Sequence, residues 1–229
     1  MSETFLLNAG ILTTFESCPA CGSSHMGRVR RGKYKCYECK AEWNIRKDSY
    51  LEGKKIELPD FIGCLKFFVD GLDATKTARE LEVSPKLTRR VFAEFRKLIT
   101  GEIQQVPADA TEITFIIREV DGKILVETNP AEEVNHSHAR LEATRTINKE
   151  RAFMFTYKFK IVKPKLVLRK IRKIDKLVYF YRFCKERLHT FRGRELNSLI
   201  AVMNELAFRY NHRNENFLNI LISKIVNEK

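Results

Sequence analysis

The sequence is short of acidic residues: 29 Asp and Glu stand against 42 Lys and Arg, a formal net charge of +13 over 229 residues. With a pI near 9.5, that imbalance points to a polyanionic partner, nucleic acid first and an anionic membrane surface as the rival. Long apolar runs are absent too. None approaches the ~20 residues of a spanning helix, so no membrane span is expected. The opening stretch lacks the pattern of a signal peptide, because Glu3 is acidic and no basic segment precedes the apolar residues. Cysteine is scarce outside one cluster. Cys64 and Cys184 stand alone within apolar helical patterns, which reads as buried reduced thiols. Together these features predict an intracellular protein, in the nucleus of a eukaryote or in the cytoplasm or nucleoid of a bacterium.

The other four cysteines, Cys18, Cys21, Cys36 and Cys39, form two CxxC pairs in C-P-A-C-G and Y-K-C-Y-E-C-K. Each CxxC points two thiolates into one turn, and two such turns complete a tetrahedral zinc site. Gly22, and Lys40 in the equivalent place of the second turn, suit the bent backbone of a zinc knuckle. A redox site would carry one CxxC at the mouth of a βαβ unit. Here two lie on a hairpin-like segment with Arg28, Arg30, Arg31 and Lys33 between them. Structural Zn2+ is therefore the predicted cofactor, with disulfides or thiol redox chemistry as alternatives. So small a ribbon has too little core to fold without its metal. Trp43 and Ile45 are expected to pack it onto the segment after it.

From Leu58 the apolar period becomes helical, with Phe61, Ile62, Leu65, Phe68 and Val69 on one face. A turn at Asp70–Asp73 and a short helix over 74–81 come next. Ser84 then reads as an N-cap, with Pro85 opening a helix to about Ile99 that buries Leu87, Val91, Phe92, Phe95 and Leu98. A short helix, a tight turn and a second helix are the layout of a helix-turn-helix. Lys86, Arg89 and Arg90 are the candidates for groove contacts, and Lys76, Arg79 and Arg96 for phosphate contacts. A plain three-helix bundle with a solvated basic face is the alternative.

Residues 101–112 read as a polar linker. Ile113–Ile117 and Lys123–Glu127 read as strands across a Val120-Asp121-Gly122 turn, and Phe153–Ile161 as a third strand. Fourteen basic residues crowd positions 158–194, opposed only by Asp175 and Glu186. Arg169, Lys170, Arg172 and Lys173 are its candidate nucleic-acid contacts. Interleaved Leu, Ile, Tyr and Phe mark this stretch as a folded surface. Helices over Glu195–Tyr210 and Asn216–Val226 close the chain.

Several of these pieces resemble Merlin-type transposases and their bacterial insertion-sequence relatives. The resemblance is carried by C-P-A-C-G…Y-K-C-Y-E-C…W-N-I-R-K-D-S-Y-L-E-G-K-K-I, by E-L-E-V-S-P-K-L-T-R-R-V-F, and by V-N-H-S at 134–137. It is carried also by C-K-E-R-L-H-T-F-R-G at 184–193 with F-R-Y-N-H-R ending at Arg213. It implies a ribonuclease-H-like core with three carboxylates holding two Mg2+ or Mn2+ ions for in-line attack on phosphorus. It also implies a homodimer, since transposition pairs two DNA ends. The chain departs from that pattern at the chemistry. The position implied for the glutamate, seven residues before Lys185, is Val178; Asp175 lies one turn earlier. Asp121 fits the first aspartate or a plain hairpin turn equally. The segment that would carry the second aspartate, before V-N-H-S, is reduced to Asn129–Glu133. His136 and His138 then read as surface or phosphate-contacting residues.

The expected fold class is α+β. A lead-in over 1–15 precedes a zinc ribbon over 16–50 and a helix-turn-helix unit over 56–100. After the linker at 101–112, a reduced, mixed ribonuclease-H-like remnant with C-terminal helices spans 113–229. The expected function is transposase-derived binding of double-stranded DNA without strand transfer. The alternatives are an active transposase with relocated carboxylates, such as Asp121, Glu133 and Asp175, and a zinc-ribbon protein that binds RNA or a ribonucleoprotein or serves a structural role in an assembly.

Overall fold

A computed structural model of the protein describes residues 2–101, 112–130, 152–158, 176–188 and 196–228. These residues form a mixed α+β structure with seven α-helices and two three-stranded antiparallel sheets. They divide into two compact units, one of residues 1–98 with 217–229 and one of residues 99–216.

In the first unit, α1 (Ser2–Asn8) precedes β1 (Met26–Val29), β2 (Lys33–Cys36) and β3 (Glu42–Asn44), paired in the order β1-β2-β3. Opposed residues of an antiparallel pair share a face. The register Met26↔Cys36 and Tyr34↔Trp43 therefore gathers one small core. Trp43 stacks on Tyr34 at 5.9 Å between centroids and meets Phe15 edge-on at 5.7 Å. The expectation for Trp43 is corrected: with Cys18, Cys36 and Phe15 it closes the sheet's own core. Residues 1–15 are likewise no mere lead-in, since Leu6, Ile11 and Leu12 are fully buried and α1 packs against α2.

Three helices come after the sheet: α2 (Leu58–Val69), α3 (Ala74–Glu80) and α4 (Pro85–Thr100). The Asp73 carboxylate accepts from the N–H groups of Thr75 and Lys76, at 2.9 and 3.0 Å, and so caps α3. Ser84 Oγ accepts from Leu87 N at 3.2 Å and caps α4 as expected. Between them Glu82 takes φ 55, and Val83 N reaches back to Ala78 O at 3.0 Å, a Schellman-type stop. The core is aromatic: Phe68 meets Phe92 and Phe95 edge-on at 5.0 and 5.3 Å, and Phe95 meets Phe61 at 5.7 Å. Each such ring pair adds about 0.5–1.5 kcal/mol beyond the area it buries.

The last helix, α7 (Phe217–Asn227), belongs to this unit, so the division expected at 113–229 does not hold for it. Phe217 stacks on Phe68 at 6.3 Å, and Leu221 and Ile225, one and two turns on, are fully buried. Those i, i+4, i+8 positions form one apolar stripe.

In the second unit, β4 (Glu112–Val120) pairs with β5 (Lys123–Pro130) and with β6 (Ala152–Lys158), in the order β5-β4-β6. Helices α5 (Lys176–Leu188) and α6 (Leu196–Asn211) share a core with Phe115, Ile117 and Ile124 of the sheet. Asn211 finishes the edge of β5: its Oδ1 accepts from Ile124 N at 2.7 Å, and its Nδ2 donates to Ile124 O at 2.8 Å. The amide stands in for a neighbouring strand and satisfies two edge groups.

Candidate metal centre and basic helix surface

The backbone builds the metal centre before the sulfurs do. Gly22 N donates to Cys18 O at 2.8 Å, and Cys36 N to Ala41 O at 2.9 Å, closing the two turns. Gly22 and Lys40 both take the left-handed conformation, with φ 73 and φ 65, as their shared place in the two knuckles predicts. The four Sγ atoms then lie within 4.8 Å of one another. Cys18 Sγ–Cys39 Sγ and Cys21 Sγ–Cys36 Sγ are both 3.6 Å, too long for a disulfide. A tetrahedron with metal–sulfur bonds of ~2.3 Å has edges of roughly 3.8 Å. The four cysteines therefore fit a metal ion such as zinc.

Their protonation points the same way. N–H donation from Cys39, against the cost of burial, and then from Glu38 and the neighbouring thiols, brings Cys36 down to about 7. The Ser23 N–H pulls Cys21 down, but contact with Cys39, burial, Cys36 and Cys18 outweigh it and raise Cys21 to about 12. Their mutual contact thus moves Cys21 and Cys36 in opposite directions, and a cation between the two sulfurs would favour the thiolate of both. The lone thiols differ: burial pushes Cys64 up to about 12 and Cys184 higher still, as inert core residues.

Lys76, Arg79, Lys86, Arg89 and Arg90 are all exposed on α3 and α4. Thr88, fully buried, fixes the two helices together: its hydroxyl donates to Ala74 O at 2.8 Å, across to the first residue of α3. Arg96 lies elsewhere than expected. It is half-buried, its guanidinium carbon 6.0 Å from the Phe68 ring centroid. The exposed stripe of α4 instead runs Lys86, Arg89, Arg90, Ala93 and Lys97. Sequence reasoning missed Lys97, although counting 86, 90, 93, 97 at helical spacing reaches it.

Asp121 is the first residue of the two-residue β4–β5 turn, with φ 49 ahead of Gly122 at φ 75, the type I′ geometry of an Asp-Gly hairpin. Of the two readings of Asp121, the turn is the one observed. Among the described residues, the four cysteines form the group of three or more Cys, His, Asp or Glu side chains able to hold a metal. Glu133, His136, His138, Arg169, Lys170, Arg172, Lys173 and Asp175 lie outside the described residues. Among the described residues, no helix is long and apolar enough to cross a membrane. Comparisons with protein families, with curated proteins and with solved structures give no match to this chain.

Proposed function

We propose that this protein binds double-stranded DNA through α3 and α4, used as a helix-turn-helix, with the cysteine centre loaded with structural zinc. In this reading it is transposase-derived and carries out no strand transfer. The observation that carries it is the row of exposed cations Lys86, Arg89 and Arg90 along the first turns of α4, behind the Ser84 cap. A recognition helix reads base edges from its N-terminal residues while the preceding helix crosses the backbone. Arg89 and Arg90 would face the groove; Lys76 and Arg79, on the outer side of α3, would meet phosphates. The Thr88–Ala74 bond supports this by fixing the angle at which α4 enters. Zinc would hold β1–β3 folded, its four ligands leaving no open position for chemistry. Val178, at the position where the resemblance implies the glutamate, has no carboxylate, which supports the absence of strand transfer.

Three measurements test this. Arg89→Ala with Arg90→Ala should weaken binding to a selected duplex at least about 10-fold, because each arginine paired to a base edge is worth about 1–3 kcal/mol. Lys76→Ala should instead weaken all duplexes alike and lower the salt slope by about one. Unchanged duplex affinity in the double variant would sink the reading. So would Mg2+- or Mn2+-dependent nicking or joining of a labelled DNA end, as to the lack of strand transfer.

A further inference from the structure

The sheet of the cysteine unit has a second face that the metal does not use. Cys36, Tyr34 and Trp43 turn inward. The alternate pairs Gly27↔Lys35 and Val29↔Lys33 turn the other way. Tyr37 N donates to His25 O at 2.9 Å, carrying the β1–β2 ladder one step further, so His25 and Tyr37 continue that outer face. Their rings lie 5.2 Å apart. Both are open to solvent: Tyr37 is 41% exposed, and the His25 side chain 68%.

Gly27 makes this arrangement possible. A Cβ at Gly27 would lie 2.6 Å from Tyr37 Oη and 3.0 Å from Tyr37 Cε2, so the ring lies down across the one strand position that has no side chain. A large aromatic held flat on an exposed sheet buries little and offers a π-face. Cations stand on or beside this face. Lys40 Nζ donates to Tyr37 O at 2.6 Å. Lys33 and Lys35 share the face with Glu42, whose carboxylate pairs with Lys35 Nζ at 3.3 Å in an exposed bridge that a phosphate can replace. From 25 to 44 there are six basic residues against two acids, Glu38 and Glu42. Glu38 takes His25 Nδ1 at 3.0 Å and so orients the second ring.

We propose that this face binds an unpaired DNA strand, stacking a base on Tyr37 and His25 while Lys33, Lys35 and Lys40 meet the phosphates. An exposed ring on a flat basic sheet matches the face of a base, which a paired duplex keeps inside its stack, and positive charge matches the strand's backbone. The choice of DNA over RNA rests on the duplex-binding reading above; the stacking geometry does not depend on it.

The test uses the full, zinc-loaded chain and fluorescence anisotropy with a labelled oligo(dT) of roughly 12 nucleotides, within the usual span of single-strand sites. A duplex and an oligo(rU) of the same length are measured at the same salt. Tyr37→Ala should lower oligo(dT) affinity about 5- to 150-fold, while Tyr37→Phe, which keeps the ring, stays within about twofold. His25→Ala, outside both CxxC pairs, should lower it in the same direction with metal content unchanged. Duplex affinity should stay level in all three. Unchanged oligo(dT) binding in His25→Ala, or in Tyr37→Ala that retains its zinc, overturns the proposal. Oligo(rU) held more than about 10-fold tighter than oligo(dT) overturns the assignment to DNA. The Arg89/Arg90 variant separates the two readings, because it should lose duplex binding and keep oligo(dT) binding.

Discussion

Two threonines set the problem at the scale of single residues, because both are fully buried and only one is satisfied. Thr88 Oγ1 donates to Ala74 O, whereas Thr77 Oγ1 has no hydrogen-bond partner. Removing the first hydroxyl loses a hydrogen bond that ties α4 to α3; removing the second loses none. Thr88→Val should therefore cost about 0.5–1.5 kcal/mol in denaturant unfolding, and Thr77→Val should be neutral or stabilising. Equal effects from the two variants would show that packing and not hydrogen bonding decides. Glu82 is a similar local conflict, a non-glycine residue at φ 55 where α3 stops. Glu82→Gly should stabilise the fold by up to roughly 1 kcal/mol, read as a higher unfolding midpoint, as left-handed strain is relieved. The N-caps Asp73 and Ser84 obey local rules: Ser84 is readable from the sequence because a proline comes next, and Asp73 obeys the same logic although it first reads as part of a turn. The threonines are not readable, since a buried hydroxyl's partner lies fourteen residues away on another helix.

At the scale of elements, the cysteine unit and the α3–α4 pair differ in what holds them. The sheet β1–β3 has a core of three buried residues and a few partly buried neighbours, and in the zinc-loaded reading proposed above the metal supplies the rest of what folds it. Chelation should therefore unfold it, and the single tryptophan reports the event. Trp43, packed on Tyr34 and Phe15, should shift to a red, solvent-exposed emission when zinc is stripped, and recover when it is restored. Cys36→Ser should show that emission at once, with about one metal ion per chain lost by elemental analysis. Acidification should release the metal too, because its ligands bind it only as thiolates. An unshifted emission after complete metal loss would mean the aromatic core suffices. The two CxxC turns are legible in the sequence because their chemistry is local. Arg96 is misplaced by sequence reasoning because helical spacing gives a face, but the width of the buried stripe depends on Phe68, which belongs to another element.

For the whole molecule, the first unit is built from both ends of the chain, with residues 99–216 between them. Phe217, Leu221 and Ile225 bury an apolar stripe, and Phe217 covers Phe68; burying each such side chain contributes about 1.5–3 kcal/mol. Deleting residues 217–229 should therefore destabilise the first unit by several kcal/mol, seen as a lower thermal midpoint in far-ultraviolet circular dichroism. A truncated chain with the original midpoint would place α7 outside that core. The sequence alone determined what depends on neighbours along the chain: the cysteine pairs, the caps, the Asp-Gly hairpin, the apolar period of α2 and α4, and the excess of positive charge. Spacing and propensity act over one or two turns, so these features appear wherever the residues do. Only the tertiary structure decided which elements share a core. It brought α7 to α2, laid Phe15 on Trp43, set Asn211 along the edge of β5 and left Tyr37 lying open across Gly27. An apolar stripe specifies that it must be covered but not by what, and shape complementarity between distant segments makes that choice.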